Sequence, residues 1–162
     1  MTSPTTITAR PGLPFVDVVR EFDAPTGAVF HAHTDPTLFA QWMGPREMPM
    51  EGLVLEPTTG GRWKYEFRGS DSPDPMSFFG VFHTVQPNTL IVQTFEFSLA
   101  PGHAGISFTT FEDLGGRTRL SVHEVYQSVE DRDAATASGM EYGIIEGYTR
   151  LDELLVGEPL LK

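Results

Sequence analysis

The chain carries five histidines, His31, His33, His83, His103 and His123, and no cysteine. His31 and His33 stand two apart in a predicted helix, so they point to different faces and make a poor metal pair. Without cysteine there is no thiol ligand, no thiol nucleophile and no disulfide. The residue types therefore predict neither a bound metal nor a cofactor. Glycine pairs stand at Gly60-Gly61 and Gly115-Gly116, but none has the spacing of a phosphate-binding loop. No serine lies in a Gly-x-Ser-x-Gly elbow, so a nucleophilic triad is not expected.

Three titratable residues interrupt otherwise apolar strand faces. His83 alternates with Phe79, Val81 and Val85, Glu96 with Leu90, Val92 and Thr94, and Glu124 with Leu120 and Val122. On an interior face, a carboxylate without a partner is costly. Such a group suits orienting a ligand or acting as an acid or base. At a strand end or sheet rim, water satisfies the same group, and that is the plainer reading. Alternation alone leaves both open. Trp42, Trp63, Tyr65 and Phe67 read first as core aromatics, and equally as the wall of an apolar pocket.

Several elements must position these groups. Phe15–Phe22 reads as a first strand, after a Thr- and Pro-rich arm over residues 1–14 expected to be loose and dispensable. Asp23-Ala-Pro25 and Asp35-Pro36 each open a short helix, with the aspartates as caps. Gly44-Pro45 ends the second. Strands are then predicted over Met50–Leu55, Arg62–Arg68, Ser77–Val85, Leu90–Phe97, Ile106–Glu112 and Thr118–Tyr126. Turns at Gly60-Gly61, Pro87-Asn88 and Gly115-Gly116 separate some of them. Trp63, Tyr65 and Phe67 alternating with Arg62, Lys64, Glu66 and Arg68 give the clearest two-residue period.

Ser128–Val156 reads as one long helix of roughly 40 Å. Ser128 caps it, and Met140, Ile144, Tyr148, Leu151 and Leu155 form its apolar stripe. Glu146 and Arg150 are spaced to pair away from that stripe. Gly139, Gly143 and Gly147 recur every fourth residue along one edge. A helical glycine costs about 1 kcal/mol relative to alanine, so the spacing implies either tight packing or empty room beside the helix. Consecutive strands with short turns, closed by an amphipathic helix, predict an α+β domain over residues 15–162. Its curved antiparallel sheet of six to seven strands wraps around the C-terminal helix.

The composition bounds the partners. A net charge of −11 over 162 residues disfavours nucleic acid and anionic membrane surfaces. No apolar run approaches the roughly 20 residues of a membrane helix. Residues 1–14 lack the charged start and apolar centre of a secretory signal, so a cytoplasmic protein is expected, either monomer or homodimer.

An ordered set of short motifs resembles a known family. Arg20-Glu-Phe-Asp-Ala-Pro25, His33-Thr-Asp-Pro36 and Gln41-Trp-Met-Gly-Pro45 open it. Gly60-Gly-Arg-Trp-Lys-Tyr65, Gly80-Val-Phe-His-Thr-Val85, Ile91-Val-Gln-Thr-Phe-Glu-Phe97, Glu112-Asp-Leu-Gly-Gly-Arg-Thr-Arg-Leu120 and Gly147-Tyr-Thr-Arg-Leu-Asp-Glu-Leu154 continue it. This resembles the family related to the C-terminal domain of the Hsp90 ATPase activator, within the START-like, Bet v 1-like superfamily. Tyr148 stands where that family commonly has Trp, and Met43 where it has a second aromatic. The resemblance implies a helix-grip fold with a cavity between sheet and helix.

Three functions follow as expectations. The first is binding of a small hydrophobic or amphipathic molecule, with Trp42, Trp63, Tyr65, Phe67, His83, Glu96, Glu124, Met140 and Gly143 as candidate site residues. The second, implied by superfamily relatives, is a cyclase-type enzyme using His83, Glu96 or Glu124. Chaperone binding ranks last, because the extra N-terminal domain of the full co-chaperone is missing from this sequence.

Overall fold

A computed structural model describes residues 3–69 and 73–157. The strands are β1 (Thr6–Thr8), β2 (Phe15–Phe22), β3 (Met50–Leu55), β4 (Arg62–Phe67), β5 (Met76–Gln86), β6 (Leu90–Phe97), β7 (Gly105–Asp113) and β8 (Thr118–Val125). Helices α1 (Thr26–Thr34) and α2 (Pro36–Trp42) follow β2, while α3 (Val129–Ala137) and α4 (Met140–Gly157) follow β8. The strands pair antiparallel in the order β1-β2-β8-β7-β6-β5-β4-β3. The α+β helix-grip architecture is as expected, with eight strands in place of six to seven.

The additional strand is β1, inside the segment expected to be a loose arm. It pairs with β2 from Thr6 opposite Val19 to Thr8 opposite Asp17. The same segment satisfies two buried arginines. Arg20 donates to Thr5 Oγ1 at 3.1 Å, and Arg132 donates to the Arg10 carbonyl at 2.9 Å. Backbone and hydroxyl oxygens hold this segment, which is why its poor apolar content gave no warning.

The predicted long helix is two helices. Ser128 caps α3 as expected, accepting from Asp131 N at 3.0 Å. The helix ends at Ala137, and Gly139 takes a φ of +90° before α4 begins at Met140. A glycine adopts that left-handed conformation without the steric penalty of a Cβ. The gripped element is α4 alone, 18 residues, or about 27 Å. Asp35 caps α2, accepting from Leu38 N at 3.0 Å, whereas α1 starts at Pro25 with no side-chain cap. Asp23, the expected cap there, instead accepts from Arg117 Nε at 2.5 Å.

The helices cover one face of the sheet. Val16, Val18 and Phe22 on β2, Leu120 on β8, Phe111 on β7, Ile91 on β6 and Phe82 on β5 are buried with Val29, Phe39, Trp42, Tyr148 and Leu151. Arg20, on the same face of β2, reaches Asp152 of α4 at 3.4 Å and so pins the helix to the sheet. Tyr148 meets Phe22 edge-on at 5.8 Å and stacks on Trp42 at 5.9 Å.

Candidate functional site

Antiparallel partners share a face, so the register traces a row across the sheet. Val16 of β2 lies opposite Glu124 of β8, Glu124 opposite Ser107 of β7, Ser107 opposite Gln93 of β6, and Gln93 opposite Phe82 of β5. Val16 and Phe82 belong to the core. Glu124, Ser107 and Gln93 are therefore three polar residues on the inner face.

The Glu124 carboxyl has no hydrogen-bond or ionic partner among the described residues, and its oxygens retain accessible surface. Burial pushes its pKa up to about 7. The phenols of Tyr65, Tyr126 and Tyr148 are pushed up as well, first by burial and then by the Glu124 charge, so all three lie within reach of its field. Of the three titratable candidates His83, Glu96 and Glu124, Glu124 is the one that the fold brings to the inner face.

The inner face divides into two ends. Around Phe22, Leu120, Val29 and Leu151 it is sealed. Around Glu124 the side chains are only half-buried: Tyr65, Phe67, Phe78, Phe95, Phe97, Tyr126 and Met140. Phe78 packs against Tyr65 at 5.6 Å and stacks on Phe67 at 5.8 Å and Phe97 at 4.8 Å. Phe95 meets Tyr126 edge-on at 5.4 Å, and the Tyr126 hydroxyl donates to Met140 Sδ at 3.3 Å. The first turns of α4 overlie this end.

The three helix glycines serve three ends. Gly139 makes the break. A Cβ on Gly147 would lie 3.4 Å from the Trp42 carbonyl and 3.5 Å from Gly44 N, so here glycine serves close approach to α2. A Cβ on Gly143 would meet only Pro45 Cδ, at 4.0 Å. Gly143 thus borders open room beside α4. The segment after α2 is tied across that side. Tyr142 donates to Glu47 at 2.7 Å, Arg46 pairs with Glu146 at 3.1 Å and Glu153 at 2.6 Å, and Arg150 donates to the Gly44 carbonyl at 2.9 Å. Glu146 therefore pairs with Arg46, not with Arg150 as the spacing suggested.

The remaining candidates separate. Tyr65, Phe67 and Met140 lie at the open end with Glu124. Trp42 and Trp63 are core residues. The Trp42 indole donates to the Ala32 carbonyl at 2.8 Å, and Trp63 lies over Gly80 and donates to the Thr94 carbonyl at 2.9 Å. His83 is exposed on the outer face and bonds Thr84 Oγ1 at 2.8 Å. A register shift between Phe82 and Thr84 separates its face from that of Val85. Glu96 is also outside, accepting from Gly102 N at 3.0 Å and lining a depression of about 400 Å³ with Val54, Lys64, Phe79 and Val81. Gln93, Ser107, Phe78, Phe95, Phe97 and Tyr126 were missed. Their strands are apolar on both faces or carry small polar residues, so no signal marks them.

The other histidines do not converge. His33 packs on Trp42 and Phe111 with Nδ1 2.8 Å from the Val29 carbonyl, and burial lowers its pKa to about 4. His103 meets Asp131 at 2.8 Å and His123 meets Asp17 at 2.6 Å. Among the described residues no three His, Asp or Glu side chains gather as a metal set would, and no helix is long and apolar enough to cross a membrane.

Solved structures share this fold. A protein from Rhodobacter sphaeroides is 25% identical with a TM-score of 0.85, covering 95% of this chain and 99% of its own. One from Arthrobacter aurescens is 23% identical with a TM-score of 0.82, covering 94% and 92%. Protein Ms6760 from Mycobacterium smegmatis is 20% identical with a TM-score of 0.85, covering 96% and 99%. No curated protein matches the chain. The family model described as Activator of Hsp90 ATPase homolog 1-like protein matches residues 23–156, and the chain belongs to that family, with its START-like, Bet v 1-like fold.

Proposed function

We propose that the protein binds one small hydrophobic or amphipathic molecule between the inner face of the sheet and the first turns of α4. The observation that carries this reading is Glu124, an unpartnered carboxyl among half-buried aromatics. A carboxyl without a partner inside a finished core is expensive, while an apolar wall with a few polar groups suits a ligand. Gly143, in those first turns of α4, has room for a larger side chain on the side of Pro45. Native mass spectrometry of the freshly purified protein, and titration with an apolar fluorescent probe, test it. The wild type should bind saturably, and Gly143→Leu should keep its thermal midpoint but lose binding. A wild type that binds no probe, or a Gly143→Leu variant that binds it unchanged, would defeat the reading.

One observation favours a second reading. With its pKa near 7, Glu124 is matched to proton transfer at neutral pH. A cyclase-type activity would run through Glu124, with His83 and Glu96 excluded by their outer-face positions. Turnover that disappears in Glu124→Gln while ligand affinity persists would support it. Chaperone binding rests on the family description alone and is tested by pull-down with Hsp90.

A further inference from the structure

We propose that the molecule held here is a cationic amphiphile, an apolar body bearing a protonated amine that pairs with Glu124 against the surrounding aromatic rings. This rests on the interior-binding reading above and names the ligand's chemistry.

Three independent observations carry it. First, among the described residues the open end has a negative group and no free positive one. The inward groups there are Tyr65, Phe67, Phe78, Gln93, Ser107 and Tyr126. The arginines nearest the tyrosines are already engaged, Arg20 by Asp152 and Arg132 by Asp133 and the Arg10 and Phe15 carbonyls. A carboxylate ligand would meet a like charge, and an alcohol would leave an ionised Glu124 without a counter-charge. Second, the half-buried rings of Tyr65, Phe78, Phe95 and Tyr126 gather at this end, and aromatic rings attract an ammonium group desolvated over their faces. Third, the net charge of −11 raises the local concentration of cations and opposes anions.

The groups facing Glu124 do not titrate in the working range. Tyr65, Tyr126 and Tyr148 stay neutral because their phenols are pushed up, and the arginines stay charged. Amine affinity should therefore follow the ionisation of Glu124 alone, rising as pH increases through neutrality.

The test is calorimetric titration with three probes of one shape: naphthylmethylamine, naphthylmethanol and naphthoate. In the wild type near pH 8 the amine should bind about tenfold or more tighter than the alcohol, with naphthoate weakest. That preference should collapse to about twofold in Glu124→Gln while alcohol binding persists, survive in Glu124→Asp, and shrink near pH 5. Equal or tighter binding of the alcohol by the wild type overturns the amine assignment and leaves interior binding standing. An undiminished amine preference in Glu124→Gln overturns it too, because the amine then sits elsewhere. Failure of all three probes, or binding unaffected by Gly143→Leu, removes the interior site and the amine with it.

Discussion

Replacing Glu124 with Gln should stabilise the protein, and only at high pH. The ordinary carboxyl value of 4.5 rises to about 7 in the fold because the group is buried without a partner. Below about pH 4.5 the carboxyl is protonated in both folded and unfolded chains, so it carries no ionic cost. Between that pH and about 7 the unfolded chain releases the proton while the folded chain keeps it, and stability falls as pH rises. Above about 7 the full cost is present. At about 1.4 kcal/mol per pH unit, the separation amounts to roughly 3.5 kcal/mol. The oxygens keep some accessible surface, which screens the charge, so the measured value should fall at or below that figure. Glutamine has the same shape and no charge at any pH. Urea unfolding of both proteins near pH 5 and pH 8 reads the difference directly. The variant should gain up to about 3 kcal/mol at the higher pH relative to the lower, or roughly 6–12 °C in thermal midpoint. A gain that does not change with pH, or a loss at the higher pH, would refute the assignment of Glu124 as an unpaired interior carboxyl.

Two further outcomes follow from the packing. Gly147→Leu should lose about 1–3 kcal/mol in urea unfolding, because its side chain must push α4 off the Trp42 carbonyl and Gly44; a neutral result would mean that room exists there, as at Gly143. A chain beginning at Phe15 should lose more than about 2 kcal/mol, since Arg20 and Arg132 lose buried acceptors and each such loss costs about 1–3 kcal/mol; an unchanged denaturation midpoint would show that water replaces those bonds freely.

Much of the architecture is local and was legible in order along the chain. Phe15–Phe22, Met50–Leu55 and Leu90–Phe97 begin and end where their apolar runs do. Asp35 and Ser128 cap because a short acceptor side chain can reach the backbone N–H three residues on. The order of strands, short helices and closing helix is itself enough to reach a sheet folded over a helix. The local signals also set limits. Asp23 looked like Asp35, yet Arg117 on a distant strand drew it away. The Ser128 cap opened the predicted helix and the apolar stripe from Met140 continued it, and a lone glycine between them does not by itself reveal the left-handed turn at Gly139.

The tertiary structure decided which side of each strand is inside. A two-residue period sorts side chains into two sets and is silent on which set meets the helices. On β4 the charged set resolves the matter, and Tyr65 and Phe67 are inward as the pattern suggests. On β5 and β6 both sets are apolar, and the register shift after Phe82 breaks the alternation, so His83 points outward while Val85 joins the core. Glu96 and Glu124 read alike along the chain. Only the pairing of β8 between β2 and β7 carries Glu124 to the inner face, because the packing of α1, α2 and α4 fixes the buried side of the whole sheet at once. The glycines of α4 follow the same rule: their four-residue spacing is written in the chain, but whether a neighbour stands 3.4 Å away or leaves room is set by Trp42 and Pro45, which arrive from a segment roughly a hundred residues earlier.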